Sequence, residues 1–199
     1  MKAMDTSEFT TGIAQNIADL GYRAIGIYLR PDRCSADMVA ELKAAGLEIW
    51  STYESGHPDH DGYFTPARGT YDGRAAAQFA KEALNQRAGS LIYATVDYDP
   101  DGDPDNVEAP IIRSLISDYI RNFKTEVEAA GYLVGVYGSG RTCRILIESG
   151  LASAGWLCGS TSYAEFATFT PNAAIAQGSA INKNWDHDDV QDSATAGLW

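Results

Sequence analysis

LIYATVDYD, residues Leu91–Asp99, joins a short apolar run to two carboxylates spaced one residue apart. Its first part, with Ser90 before it and Val96 at its end, is rich in β-formers and has no polar alternation. A strand of that kind is buried on both faces, as in a parallel sheet covered by helices. The flanking segments have helical spacing. On one side Asp72–Gln86 sets Ala75, Ala76, Phe79 and Ala83 on one face, with Asp72 as cap. On the other, about Asn106–Ala130 repeats Ile112, Leu115, Ile116, Tyr119, Ile120, Phe123 and Val127, and Gly131 ends it.

The same alternation extends outward. Helix Gly12–Leu20 precedes strand Ala24–Leu29. Helix Ser35–Ala45, capped by Ser35 and stopped by Gly46, precedes strand Leu47–Tyr53. Strand Leu133–Tyr137 leads through Gly138-Ser139-Gly140 into helix Arg141–Glu148. Strands at Gly155–Gly159, Ala173–Gln177 and Trp185–Val190 follow, and a short one at Ala3–Asp5 brings the set to eight. Strand–helix alternation implies parallel pairing with right-handed crossovers. The expectation is an α/β fold of one domain over residues 1–199: a single (β/α)8 TIM-type barrel, its last two units short or irregular because little room for helix remains after Ala173.

Composition narrows the function. Fifteen basic against twenty-seven acidic residues give a net charge of −12, which repels nucleic-acid and anionic-membrane phosphates. No stretch approaches the ~18 apolar residues of a membrane span. After Met1-Lys2 the chain meets Asp5 almost at once, so no signal peptide is visible. The expectation is a soluble protein, cytoplasmic or exported by a non-classical route. Cys34, Cys143 and Cys158 lack metal-ligand spacing and read as buried thiols.

The chemistry lies in the carboxylates. Asp5 ends the first strand, Glu54 the third, Asp97 and Asp99 the fourth, and Asp186 lies in the last. Barrel sites are built on C-terminal strand ends. An extended backbone sets Asp97 and Asp99 on one face, roughly 6.5 Å apart along the chain. Crowded carboxyls separate into a protonated acid and an ionised partner, the division of labour that glycosidic cleavage needs. Tyr28, Tyr98, Tyr137 and Trp156 accompany them as candidate sugar platforms, whereas Trp50 and Tyr93 read as core.

The runs IWSTYE (Ile49–Glu54), DGRAAAQFA (Asp72–Ala80), LIYATVDYD, GYLVGVYGSGRTC (Gly131–Cys143), GLASAGWL (Gly150–Leu157) and AQG (Ala176–Gly178) occur in that order. Together they resemble a bacterial glycoside-hydrolase-like domain of unknown function, related to the family 25 lysozymes (muramidases), which cleave peptidoglycan glycan on a (β/α)-barrel. The resemblance implies that Asp97 and Asp99 are the strand-four acids, Asp5 the first-strand acid, Asp186 the last-strand acid and Glu54 the acid of the domain's own Tyr-Glu. Asp99 stands where the lysozymes carry a Glu proton donor. Being one methylene shorter, it makes Glu54 a candidate substitute. The implied function is acid/base hydrolysis of bacterial cell-wall glycan. The alternatives are a non-catalytic glycan-binding domain of the same fold and a calcium-stabilised interaction module.

The calcium alternative rests on Asp97–Glu108, which satisfies the EF-hand spacing D-x-D-x-D-G-x5-E in full. A strand rather than a helix enters it, and Pro104 occupies the slot of an apolar bridging residue. A solvated acidic loop is the simpler reading, and no redox cofactor is implied. Ser139 reads as a helix cap in a tight turn. The His57–Asp61 loop reads as a lid over the site, and His187 should point away from Asp186 and Asp188.

Overall fold

Each short apolar run folds as a strand because the barrel offers burial on both of its faces. The computed structural model describes residues 1–103 and 105–199. Strands β1 Lys2–Thr6, β2 Ala24–Tyr28, β3 Glu48–Tyr53, β4 Leu91–Thr95, β5 Leu133–Gly138, β6 Ala154–Leu157, β7 Ile175–Asn182 and β8 Trp185–Val190 close into one barrel in chain order. Around them lie α1 Ala14–Asp19, α2 Ala36–Ala44, α3 Pro66–Gln78, α4 Ser117–Ala129, α5 Gly140–Glu148, the short α6 Phe166–Phe169 and α7 Ser193–Ala196. Among the described residues no helix is long and apolar enough to cross a membrane.

The six pairs from β1 to β7 follow the expected parallel order, and the exceptions are the seams of the last strand. β8 runs antiparallel to both β7 and β1. The reason is length: only Lys183 and Asn184 separate β7 from β8. A two-residue link makes a hairpin, whereas a parallel return needs a crossover of a dozen residues or more. The start of β8 therefore lies at the same end of the barrel as the finish of β1.

Alternation sorts the strands' side chains into two cores. Ile25, Ile27, Ile49, Ile92, Val134 and Val136 pack outward with Ile116, Ile120 and Phe123 of the helical layer. Ala3, Ala24, Trp50, Leu91, Tyr93, Ala154, Trp156 and Val190 fill the interior. Large rings fit there because small residues face them. A Cβ on Gly26 would lie 2.5 Å from the Trp50 ring, and one on Gly135 would lie 2.5 Å from that of Tyr93. Segment 193–199 seals the N-terminal end. Ala196 and Leu198 join the interior core, Tyr93 Oη donates to the Ala196 carbonyl at 3.1 Å, and Trp199 Nε1 donates to Ser51 Oγ at 3.0 Å. Cys34, Cys143 and Cys158 are buried free thiols.

Two helix starts differ from the sequence expectation. α3 begins at Pro66, with Thr65 Oγ1 accepting from Arg68 N, so Asp72 is no cap. Asp72 is fully buried within the helix and accepts from Arg68 Nε, Tyr63 Oη and Tyr119 Oη. Gly69 and Gly73, which read locally as breakers, let α3 approach the Tyr119 and Phe123 carbonyls of α4. The long helix starts later than Asn106, and its first part, Ile112–Ile116, is π-helical. The wider turn shifts the helical phase and leaves Leu115 exposed while Ile112 and Ile116 are buried. Ser35 and Ser139 cap α2 and α5 as the sequence implies.

Candidate functional site at the barrel mouth

Inward parity carries the polar site up from this core. Along β3 the sequence runs Trp50, Thr52, Glu54; along β4 it runs Tyr93, Thr95, Asp97. Thr52, Glu54, Thr95 and Asp97 join Tyr28, Tyr137, Trp156, Gln177 and Asp186 around a cavity of about 230 Å³. Thr52 Oγ1 and Thr95 Oγ1 are hydrogen-bonded at 3.0 Å across β3 and β4. Larger grooves, such as one of about 680 Å³ beside α5 and α6, lie on the outer layer; there Glu165 is already paired with Arg141 and Arg144.

On the opposite wall the antiparallel β1–β8 seam sets Asp5 against Asp186. Deeper in β8, buried Asp188 accepts from Trp156 Nε1 at 2.8 Å and lies near Asp5 of the neighbouring strand β1. Gln177 is held in one orientation, because its Oε1 accepts from Tyr137 Oη at 2.8 Å and from Gly159 N at 3.0 Å. Its Nε2 then donates to Asp5 Oδ2 at 3.1 Å. The Trp156 ring meets Tyr137 edge-on at 4.7 Å, joining the cavity wall to the core beneath.

Burial dominates the electrostatics. It pushes Glu54 up to about 7, helped by the neighbouring charge of Asp97 and opposed by Arg30. Asp97 is raised by burial and then by Asp59. Asp186 is raised by burial, and His187 opposes the shift. Asp5 and Asp188 are both raised, by burial first. The Tyr28 and Tyr137 hydroxyls are held well above the usual phenol value, by burial and then by the surrounding carboxylates. All of these shifts are upward, and carboxyls so perturbed in one cavity mark a candidate acid/base site.

The structure does not gather all the residues singled out from the sequence. Asp5, Glu54, Asp97 and Asp186 converge with Tyr28, Tyr137 and Trp156. Asp99 lies apart, since β4 ends at Thr95 and the chain turns before the face shared with Asp97 can continue. Its Oδ2 accepts from Ala164 N at 2.8 Å, and it does not line the cavity. Tyr98 is also off the cavity, stacked on Phe64 at 5.9 Å with its hydroxyl donating to Asp61 at 2.7 Å. The His57–Asp61 loop does reach the site, because the Pro58 carbonyl accepts from Asp97 N at 2.8 Å. Asp188 and Gln177 were absent from the sequence-derived set. The Asp186-His187-Asp188 alternation already puts Asp188 on the inner face, but its depth depends on the reversed strand. His187 points outward and bonds Tyr22 at 2.8 Å.

The acidic loop after β4 wraps a side chain. Arg141, buried at the start of α5, donates through Nη1 to the carbonyls of Asp101, Asp103 and Asn106. Asp101 accepts from Asn106 Nδ2 and from Ile112 N, which caps the helix from a distance. Three carboxylates of the EF-hand pattern, Asp99, Asp101 and Asp103, here accept from backbone and amide donors, and three of its carbonyls accept from a guanidinium. Among the described residues no group of three or more His, Cys, Asp or Glu side chains is arranged to hold a metal. Pro104 lies outside the described residues.

Comparison with known proteins agrees with this architecture. A Bacillus subtilis (strain 168) relative, "Uncharacterized protein FadG", is 26% identical over 161 residues, 77% of this chain, which spans only 27% of that protein's length. The Mycobacterium tuberculosis Tat-secreted protein Rv2525c, crystallised with L-tartrate, superimposes with a TM-score of 0.79 at 19% identity, covering 100% of this chain and 98% of its own. An uncharacterized B. stearothermophilus protein superimposes with a TM-score of 0.68 at 16% identity over 100% of both chains. At these identities the structural matches establish the shared fold alone. A family model matches residues 15–198, and the chain belongs to that family, the Rv2525c-like, glycoside hydrolase-like domain.

Proposed function

We propose that the protein hydrolyses a glycosidic bond in bacterial cell-wall glycan, the peptidoglycan strand, at the barrel mouth. The observation that carries this reading is one small polar cavity receiving acids from opposite walls, Glu54 and Asp97 on one side and Asp186 on the other, with Asp5 buried beside Asp186 and with Tyr137 and Trp156 between the walls. Glu54 acts as the general acid: burial pushes its pKa up to about 7, and among the described residues its carboxyl accepts no hydrogen bond. Asp97, whose charge helps to raise it, is the second carboxyl on that wall. Asp186 and Asp5 stabilise the oxocarbenium-like charge that develops on the sugar. The resemblance of the sequence motifs to those of the family 25 lysozymes supports the choice of substrate. The Tat-secreted M. tuberculosis relative supports a place of action outside the cytoplasm.

One observation favours a second reading, a glycan-binding domain without turnover. Asp99, at the position of the lysozyme proton donor, is tied to Ala164 N outside the cavity. Incubation with purified peptidoglycan separates the two. Catalysis releases reducing ends, at a rate that falls as pH rises through about 7, where Glu54 gives up its proton. Asp97→Asn and Glu54→Gln each abolish release while leaving the protein folded. Retention on the glycan with no product at high protein concentration selects the binding reading.

A further inference from the structure

The hydrogen bonds beneath the cavity all run one way. Tyr137 Oη donates to Gln177 Oε1, Gln177 Nε2 donates to Asp5 Oδ2, and Trp156 Nε1 donates to Asp188 Oδ1. An indole can only donate and Gln177 is fixed by two donors, so these directions are not reversible. Asp5 is 2% exposed and Asp188 5%, and Asp188 Oδ2 has no protein N–H or O–H partner. After burial, the charge of Asp5 on the neighbouring strand β1 is the largest influence on Asp188.

Two neighbouring buried carboxylates cannot both remain ionised without a cation between them. Among the described residues no Lys or Arg lines the cavity or acts on the pair. From β1 and β8 come Asp5 and Asp186; from β6 and β7, Trp156 and Gln177; from β2, β3, β4 and β5, Tyr28, Glu54, Asp97 and Tyr137. His187 points out of the barrel toward Tyr22.

We propose that Asp188 is a positioning residue that keeps one proton on Oδ2 and donates it to Asp5, presenting Asp5 to the cavity as a fixed, ionised carboxylate. This deepens the hydrolase reading and rests on it for what Asp5 does; the proton itself does not. Asp5 then ends every donor chain beneath the site, with its charge oriented before any ligand arrives. Asp188 touches no substrate. Its burial below Asp5 keeps the proton in place, and burial together with the charge of Asp5 holds its acidity far from that of a free carboxyl.

Asparagine reproduces the protonated acid, with an oxygen to accept from Trp156 and an N–H to donate to Asp5, but has no proton to lose. The first measurement is infrared absorption of the intact wild-type protein above pH 8, where Asp5 and Glu54 are largely ionised. A protonated-carboxyl band is expected there, lost in Asp188→Asn; its absence from the wild type overturns the proposal whatever the variants do. The second is unfolding free energy against pH. The raised acid makes wild-type stability fall as pH climbs above the ordinary carboxyl range, and Asp188→Asn should flatten that slope by about one proton per molecule. An unchanged slope counts against the proposal. The third is glycan release. Asp188→Asn should stay within about threefold of wild type, whereas Asp188→Leu, which strands the Trp156 indole and the Asp5 carboxylate, should lose at least about tenfold. Loss of release in Asp188→Asn equal to that in Asp97→Asn would mean an ionised Asp188 and would overturn the assignment. If the wild type releases nothing, the hydrolase reading fails while band and slope still decide the proton.

Discussion

The two ends of this barrel are built from the same eight strands and do opposite things. At the N-terminal end the interior is aromatic and aliphatic, the Trp50 and Tyr93 rings face glycines, and segment 193–199 folds underneath as a plug. At the C-terminal end the same inward parity delivers Thr52, Glu54, Thr95, Asp97, Gln177 and Asp186 around a cavity of about 230 Å³. Stability is concentrated at one end and unfavourable charge at the other. Trp156 belongs to both, with its ring in the core and its N–H on Asp188.

Substitutions that tell the ends apart sharpen this contrast. The largest effect is expected at the sealed end: Trp50→Ala should destabilise by about 3–5 kcal/mol, because the surrounding rings cannot collapse into the void. In thermal unfolding that is a fall of roughly ten degrees or more for a chain of this size. A loss under about 1 kcal/mol would mean the floor is loosely packed and the contrast is false. Next comes the loop between the ends. Arg141→Met leaves the carbonyls of Asp101, Asp103 and Asn106 without their shared donor and should cost about 2–3 kcal/mol, read from the urea midpoint.

At the open end the sign reverses. Because Glu54 is raised in the folded state, wild-type stability is fully present below the ordinary Glu value and declines as pH rises toward about 7. Glu54→Gln should therefore gain about 1 kcal/mol at pH 8, the full shift being discounted for solvent at the mouth, and nothing at pH 4. Calorimetry at the two pH values checks it, and destabilisation at pH 8 would contradict a strained mouth. The smallest effect is expected at Asp99→Asn, which keeps an oxygen for Ala164 N. Glycan release should stay within about twofold of wild type, whereas a loss like that of Asp97→Asn would bring Asp99 back into the site.

Most of the barrel was legible in the chain because buried parallel strands and capped helices leave local signatures. The run from Leu91 to Val96 and the caps at Ser35 and Ser139 needed no tertiary information. Asp5, Glu54, Asp97 and Asp186 were legible for a related reason: a carboxylate ending an apolar strand is locally anomalous. What could not be read locally was direction and departure. Asp99 obeys the two-residue period, but the backbone has already left the strand, and its partner Ala164 is remote in sequence. Asp188 has the right parity, yet only the reversal of β8 puts it under Asp5. The DxDxDG spacing likewise carries no sign of Arg141, which reaches the loop's Asp101, Asp103 and Asn106 carbonyls from a helix remote in sequence.

The antiparallel seam also bears on how the molecule comes into being. Asp5 lies in the first strand and its neighbours Asp186 and Asp188 in the last, so the site has no precursor in any partly assembled barrel. Contacts of such sequence separation form late and slowly. Until the hairpin of β7 and β8 docks, both walls are hydrated and every carboxyl ionises as it would in a free peptide. Docking removes the water and draws a proton from solution in the same event. Barrel closure is thus a chemical step as well as a conformational one, and proton uptake during refolding, followed with an indicator dye, would time the arrival of the last strand.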